Sequence, residues 1–575
     1  MIGVPLLLAI PVDWTGRDGV ETAARLSDVC SARPRLWIGS GVRSIPWGRG
    51  GKVIGPVFRR DLRESPKFGP DWRASGSVLE LVEQLSRQCW GAYLAILPGR
   101  DGEGLGVFGD PSGLLPVYRT TSGGHVLLSS DPRLFAGAGA AAPAIDWAAL
   151  RVHLGWPELR QEATCLAGVD ELRPGMLYRF GGAGRPDETV WRPEDFLPTG
   201  PVPDFGDATA VLRACVQDVM GAWAENLGPV AVAASGGVDS SLICAALACG
   251  GHRFSCITLA TADPSGDERR FVRTLADRLG AIVDERIYSP AAIDLTLSAS
   301  RGLPRPARRS LSLALDEALD SARIRLGANT VFDGNGGDNL FCFLHSAAPV
   351  VDRLRAQGVR AALPTFLDMC SVTGADLQTM VGAVWRRYWR KGRRKDWPAD
   401  RQLLAGTPDN WPMPTALTPW LEADVGIHGG KRDHLALILH AQNHIHGLGG
   451  IDVPRFSPLM SQPLLELCLA LPTWLWCRGG INRSLARAAF ADVLPQSVLR
   501  RTAKAGPDSF LRQLFAGNRK LLRAMLLDGH LARHGLVDRP AIEAAMATDV
   551  LSADAIAYRL LDLAEAEAWV RSWTG

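Results

Sequence analysis

The sequence carries almost no net charge: 63 Lys and Arg stand against 60 Asp and Glu, a formal +3. Bulk electrostatics therefore gives no case for a nucleic-acid binder, and any basic surface has to be local. Long hydrophobic runs are missing as well. No stretch approaches the ~18 uninterrupted apolar residues of a membrane-spanning helix. The N-terminal run Val4 to Ile10 has neither a basic leader nor a small-residue cleavage site, so it reads as a buried strand and not as a secretion signal. The eleven cysteines include no C-x-x-C pair and are odd in number. That excludes a disulfide framework and leaves reduced, mostly buried thiols in a cytoplasmic protein. No internal repeat is visible. What is there, 575 residues with 47% hydrophobic and 21% charged side chains, is the composition of a folded chain of two large units.

From Met1 to about Phe196, short apolar runs alternate with Gly, Pro and Asp turns, the pattern of a mostly β domain with a few helices. Pro186, Pro193, Pro198, Gly200, Pro201 and Pro203 then crowd a stretch without periodicity. The domain boundary is placed there, dividing the chain into 1–200 and 201–575. Beyond it strands and helices alternate, which predicts an α/β domain with a parallel sheet. Strands are expected at 230–234, 254–260, 281–287 and 330–332. Helices are expected over 240–249 and over 267–279, the second stopped by Gly280 in a left-handed cap. From Lys431 onward helical periodicity dominates.

The segment Ala233-Ala-Ser-Gly-Gly-Val-Asp-Ser-Ser241 follows a strand and opens a helix. Gly236 and Gly237 let the backbone approach a ligand, and the N–H groups of the turn converge where an anion can sit. The hydroxyls of Ser235, Ser240 and Ser241 add donors. Asp239 suits a phosphate site only if a divalent cation stands between carboxylate and phosphate, so the loop points to ATP with Mg2+. No Gly-Lys-Ser/Thr closes it, which excludes the Walker type. A second glycine-rich segment, Val331-Phe-Asp-Gly-Asn-Gly-Gly-Asp-Asn-Leu-Phe341, follows another expected strand. Parallel strands share one carboxyl rim, so Asp338 is expected to reach the same cation as Asp239, with Gly334 in the ATP-binding group.

The first loop resembles the S-G-G-x-D-S loop of the N-type ATP pyrophosphatases. The segments Pro454-Arg-Phe-Ser-Pro458, Asn482-Arg-Ser-Leu-Ala-Arg487 and Leu494-Pro-Gln-Ser-Val-Leu-Arg-Arg-Thr-Ala-Lys504 resemble, in that order, the synthetase domain of asparagine synthetases. Phe108-Gly-Asp-Pro-Ser-Gly-Leu-Leu-Pro-Val-Tyr118, Leu128-Ser-Ser-Asp131 and Leu172-Arg-Pro-Gly-Met176 resemble the same family's glutaminase domain. The resemblance implies an α+β Ntn-hydrolase-like (class II glutamine amidotransferase-like) sandwich, followed by an α/β parallel-sheet PP-loop ATP pyrophosphatase domain with a helical end. It also implies catalytic roles for Lys504, beside the α-phosphate, and for Arg483, in place of a phosphate-contacting lysine.

Ile2 stands where glutamine-dependent relatives carry their cysteine, so the resemblance implies an inactive glutaminase domain and an amine brought by the substrate. Asn335 stands where asparagine synthetases have Glu and β-lactam synthetases a Tyr, and it cannot take a proton at neutral pH. Gly336-Gly-Asp-Asn-Leu-Phe341 is most similar to the lasso-peptide cyclases. In that branch an Asp or Glu side chain of a precursor peptide is adenylated and then captured by the peptide's own N-terminal amine. The partners so implied are the precursor peptide and a leader peptidase or leader-binding protein, without membrane or nucleic acid. Cyclisation of a small β-amino acid, ammonia-dependent amide formation, and a basic RNA- or partner-binding protein are the alternatives. Two further features stand apart. His440, His444 and His446 give a helical-turn spacing without an adjacent Glu, and Trp385 to Lys395 interleaves aromatic with basic residues.

Overall fold

The computed structural model describes residues 3–14, 20–48, 50–60, 76–99, 103–181, 186–260, 267–389, 397–406, 411, 413–418, 420, 423–426, 429–449, 455–501, 508–547 and 554–574. The N-terminal part is built on two six-stranded sheets. Strand Leu6–Pro11 lies inside the first, between His125–Ser129 and Arg35–Ile38 and antiparallel to both. Leu94–Pro98 lies inside the second, between Gly51–Ile54 and Leu105–Gly109.

Side-chain alternation along these strands decides the layering. Leu6, Leu8 and Ile10 share a core with Leu94, Ile96 and Val107 of the other sheet. Leu7 and Ala9, on the opposite face, pack with Leu150 and with Leu560, Leu563 and Trp569 of the C-terminal helix Asp554–Thr574. Ala95 and Phe108, on the outer face of the second sheet, pack with Val78, Val82 and Leu85 of helix Val78–Gln88. The result is helix, sheet, sheet, helix, the expected Ntn-hydrolase-like sandwich. Strand Leu6–Pro11 is buried on both faces, which is why its sequence is an unbroken apolar run.

After residues 197–204, which form neither helix nor strand, helix Phe205–Leu227 opens on an Asp204 cap. A five-stranded, wholly parallel sheet follows. Its order is Ile282–Ile287, Phe254–Ala260, Val230–Ala233, Thr330–Phe332, Arg455–Phe456. Chain order reverses at Val230–Ala233, so a crevice opens at the carboxyl ends of that strand and Thr330–Phe332. Ala231, Ile257 and Val331 pack on one face against Leu319 and Ala322. Val230, Val232 and Cys256 pack on the other against the helices at 205–227 and 238–249. Gly280 caps helix Arg269–Leu279 at φ +67°, as expected. All eleven cysteines are unpaired thiols and most are buried. Among the described residues, no helix is long and apolar enough to cross a membrane.

The two parts are stitched together by groups that local patterns do not reveal. The Leu448 N–H donates to Leu114 O (2.7 Å) and its carbonyl accepts from Val4 N–H (2.9 Å). A Cβ on Gly447 would sit 2.2 Å from Leu114 O, so only glycine passes there. Phe58 and Trp90 meet Trp223 edge to face at 4.9 and 5.8 Å. Beside them the buried Glu466 carboxylate accepts from Arg60 Nη2 (2.9 Å), Trp191 Nε1 (2.9 Å) and Gln462 Nε2 (2.8 Å). Glu466→Ala strands an arginine and an indole N–H at this seam. We expect a loss of about 3 kcal/mol, the low end for a broken buried pair because Arg60 keeps some water contact. A urea-unfolding midpoint unchanged from wild type would refute it.

Residues 348–389, which the resemblance left without an assignment, form helices Ala348–Thr373, interrupted at Gly358, and Leu377–Trp389. Of the basic stretch, Arg386 and Arg387 are described. Arg387 pairs with Asp433 at 2.8 Å. Residues 390–396 lie outside the described residues.

Candidate active site

The crevice is bounded by the two glycine-rich loops, and glycine is what lets them interlock. Gly236 takes φ +63°, and a Cβ there would lie 2.4 Å from Phe271 Cβ. Gly237 caps helix Val238–Cys249 with no side chain of its own, leaving the N-terminal dipole end facing the crevice. In the second loop, a Cβ on Gly337 would lie 2.5 Å from Asp239 Cβ, and one on Gly334 2.9 Å from Ser240 N. The loops are thus pressed together backbone to backbone.

The serines act differently from expectation. Ser240 Oγ accepts from Ser235 N–H (3.2 Å) and Ser235 Oγ from Gly237 N–H (3.3 Å), so these hydroxyls brace the loop. Both residues still line the cleft, whereas Ser241 is fully buried and does not. Ala233, Gly237, Asp239, Gly334 and Asp338 line it too.

Asp239 and Asp338 are brought together as the rim argument requires, but around a side chain and not around open space. Arg483 Nη1 lies 2.9 Å from Asp239 Oδ2 and in direct contact with Asp338 Oδ1. The expected phosphate ligand is in this conformation a bridge between the two carboxylates. Arg483 holds it from a left-handed backbone, φ +54° and ψ +35°, at the N-cap of Ser484–Ala489, a conformation that costs energy in a non-glycine residue. Its guanidinium also sits 5.2 Å from the Phe343 ring. Arg487, behind it, is pushed down to about 10 by burial and by Arg483.

On the opposite wall Arg501 donates to Ser235 O (2.8 Å), contacts Glu268 and stacks over Phe271 at 4.4 Å. Glu268, which helix-terminus preference alone would explain, is thereby tied to the phosphate loop. Arg501 lies three residues before Lys504 in the same segment, and that proximity was the available signal for it. Lys504 itself lies outside the described residues, as does Ile2.

Beneath the second loop, Asp333 accepts from Ser457 Oγ (2.7 Å) and pairs with His446 Nδ1 (2.8 Å) and Arg455 (3.3 Å). Burial pushes the Asp333 carboxyl up, but His446, Arg455 and the Ser457 hydroxyl outweigh it and hold it below the usual range. Burial and the Arg455 charge push His446 down to about 4. Asn335 is fixed by Asp333 Oδ2 (3.4 Å) and His444 O (3.2 Å).

The crevice encloses about 550 Å³. It adjoins a second cavity of about 500 Å³ between the two halves of the chain, and Leu315, Asn335, His440, His444 and Arg455 line both.

A family model described as asparagine synthase matches residues 210–571. The chain belongs to the asparagine synthase family. No curated protein matches it significantly. Among solved structures it is similar to the allosteric regulatory enzyme of purine biosynthesis, at 14% identity over 44% of this chain and 58% of that one, with a TM-score of 0.14. It is also similar to the glutamine phosphoribosylpyrophosphate amidotransferase from B. subtilis complexed with ADP and GMP, at 13% identity over 51% and 72%, with a TM-score of 0.17. The chain thus matches about 58% of the length of the first of these structures. The family assignment rests on residues 210–571, the part that carries both glycine loops, Arg483 and Arg501.

Proposed function

We propose that this member of the family is an ATP-dependent, AMP-forming cyclase of the lasso-peptide type. It adenylates an Asp or Glu side chain of a precursor peptide and closes a macrolactam with the peptide's N-terminal amine. The observation that carries the first half is the convergence of Asp239 and Asp338 on one cationic group at a parallel-sheet switch point. Two hard carboxylates that a single guanidinium can bridge form a donor set that fits Mg2+. The ion, when bound, would neutralise phosphate charge during attack on the α-phosphate. Arg483 would then turn from the carboxylates to the phosphates, where its planar fork gives bidentate contacts. Lys504 is assigned to the charge that develops on the acyl oxygen.

Three observations favour a substrate that brings its own amine. The N-terminal cysteines are poor nucleophiles: burial pushes the Cys30 thiol up, Cys165 is pushed up to about 12 by burial, and Cys89 is fully buried. Asn335 stands in place of the Glu of asparagine synthetases and the Tyr of β-lactam synthetases, which sets this chain apart from both. The adjoining cavity has room for a folded peptide segment beside the adenylate, so both reacting ends can be held together and the coupling becomes effectively unimolecular. The inactive glutaminase domain, the cytoplasmic setting and a leader-removing partner belong to the same reading.

The test is incubation with MgATP and a synthetic peptide carrying a free N-terminus and an internal Asp or Glu. Loss of one water from the peptide, with matching AMP and pyrophosphate, is the expected result. Cyclisation of a small β-amino acid in place of any such peptide would transfer the assignment to the β-lactam branch.

A further inference from the structure

The cyclase reading leaves the protons of the attacking amine unassigned. An N-terminal amine is an ammonium at neutral pH and attacks only after losing a proton, while Asn335 cannot take one. We propose that His444 is the catalytic base of ring closure and that Glu158, supplied by the N-terminal sandwich, is its positioning residue. This rests on the cyclase reading above.

The placement comes from both halves of the chain. His444 lines the nucleotide crevice and the adjoining cavity, so it stands at the junction where an adenylate and an incoming amine have to meet. It follows helix Gly429–Gln442, and its main-chain carbonyl accepts from Asn335 Nδ2 (3.2 Å), which registers it against the second glycine loop. Its Nε2 contacts Glu158 Oε2 directly. Glu158 lies in the turn after helix Trp147–Gly155. Next to this contact, Asn443 Nδ2 donates to Pro157 O at 2.6 Å, a second tie between the same two segments.

The chemistry follows from that contact. A neutral His444 that donates Nε2–H to the Glu158 carboxylate keeps its lone pair on Nδ1. Nδ1 takes a proton from the ammonium. The imidazolium gives that proton to water, the amine nitrogen bonds to the acyl carbon, the acyl C–O bond to AMP breaks with its electron pair on the phosphate oxygen, and the second proton of the nitrogen leaves through the same Nδ1 to water as the amide forms. Glu158 fixes the tautomer and stabilises the imidazolium as it forms, the division of labour of a carboxylate–histidine pair.

The charged groups around His444 are accounted for. Glu158 faces it from the sandwich. His440 Nε2, in the helix that precedes it, lies 3.3 Å from the same Glu158 oxygen, and Arg309 Nη2 is 3.3 Å from the other. Asp562 of the C-terminal helix stands behind Arg309 at 3.9 Å. His446 is paired with a carboxylate in the same way, through Nδ1 and the buried Asp333, but it lines only the second cavity and not the nucleotide crevice.

The experiment separates adenylation from closure. An N-acetylated peptide with an internal Asp, MgATP and hydroxylamine report the acyl adenylate as a hydroxamate, since hydroxylamine is unprotonated at neutral pH and needs no base. The same peptide with a free N-terminus reports ring closure by mass. We expect His444→Gln to form hydroxamate within about twofold of wild type and to lose ring closure by roughly 10²- to 10⁴-fold, the usual contribution of a positioned base. Hydroxamate formation also certifies that the variant is folded.

Glu158→Gln should weaken closure, because the carboxylate that fixes the tautomer and stabilises the imidazolium is gone. Glu158→Asp should recover part of the rate. Undiminished closure in His444→Gln, a loss carried instead by His440→Gln, or one equivalent of zinc bound to wild type and released by His444→Gln would overturn the base. The last outcome would make the cluster a metal site. Absence of hydroxamate from wild type would remove the cyclase reading, and this role with it.

Discussion

Asp239→Asn and Asp338→Asn each lower AMP and pyrophosphate formation by roughly three orders of magnitude, about 4 kcal/mol of transition-state stabilisation and within what a Lewis-acid cation supplies. The amide is nearly isosteric, and its oxygen can still accept from Arg483, so the bridge seen between these side chains survives in weakened form. What is lost is negative charge, and a divalent cation with phosphate oxygens on one side requires it on the other. The two substitutions act on one ion, so the double variant should be little worse than either single one. Thermal unfolding separates chemistry from folding. The Asp338 side chain is 45% exposed, and its replacement should leave the transition within the ±0.5 kcal/mol typical of surface changes. AMP release measured by chromatography at saturating MgATP is the decisive quantity, and wild-type rates in Asp239→Asn would sink the Mg2+ assignment.

The legible part of this site was the part written locally. A glycine pair between an expected strand and helix located the crevice, and the shared rim of a parallel sheet brought Asp338 to Asp239 across about a hundred residues. Arg483 was found as a position, but its contact with the carboxylates was not, because no pattern of one segment encodes which partner a long side chain selects. Glu268 could be read as a helix-terminal acid until Arg501 tied it to Ser235. Glu158 was out of reach altogether: it meets His444 over a separation of 286 residues, and neither flank carries a motif. The histidine spacing at 440 and 444 was visible as a possible ligand set lacking its acid, and the acid comes from the other domain.

The same logic governs the fold. Turn chemistry and strand periodicity separated a β-rich part from an α/β part. They could not anticipate that helix Asp554–Thr574, last in the chain, covers the outer face of the first sheet through Leu560, Leu563 and Trp569. That packing ties the N-terminal sandwich to the rest of the chain. The sandwich forms a shared core with the synthetase part, supplies the Leu114 and Pro157 carbonyls that hold the 443–448 segment, and sets Glu158 against His444 of the cavity wall.

Arg483→Ala should produce two effects of opposite sign. The specificity constant for ATP should fall by roughly 10²- to 10³-fold, as expected when a charge-assisted contact to the transferring phosphates is removed. Affinity of the nucleotide-free protein for Mg2+ should rise, because the guanidinium between Asp239 and Asp338 competes for the place of the cation, and its removal leaves two carboxylates whose mutual repulsion a divalent ion relieves. A residue that merely braced the loops would weaken both bindings together. Arg483→Lys tests geometry separately from charge. An ammonium keeps the charge but contacts phosphate at a point and not as a fork, so about a tenfold deficit should remain. The φ of +54° adds a further element. Arg483→Gly relieves backbone strain while deleting the side chain, so it should unfold later than Arg483→Ala, by the ~1 kcal/mol such conformations cost, and be no more active. Isothermal titration with Mg2+ alone, paired with pyrophosphate exchange, reads all of these. A fall in Mg2+ affinity in Arg483→Ala would show that the arginine supports the cation site and does not compete for it.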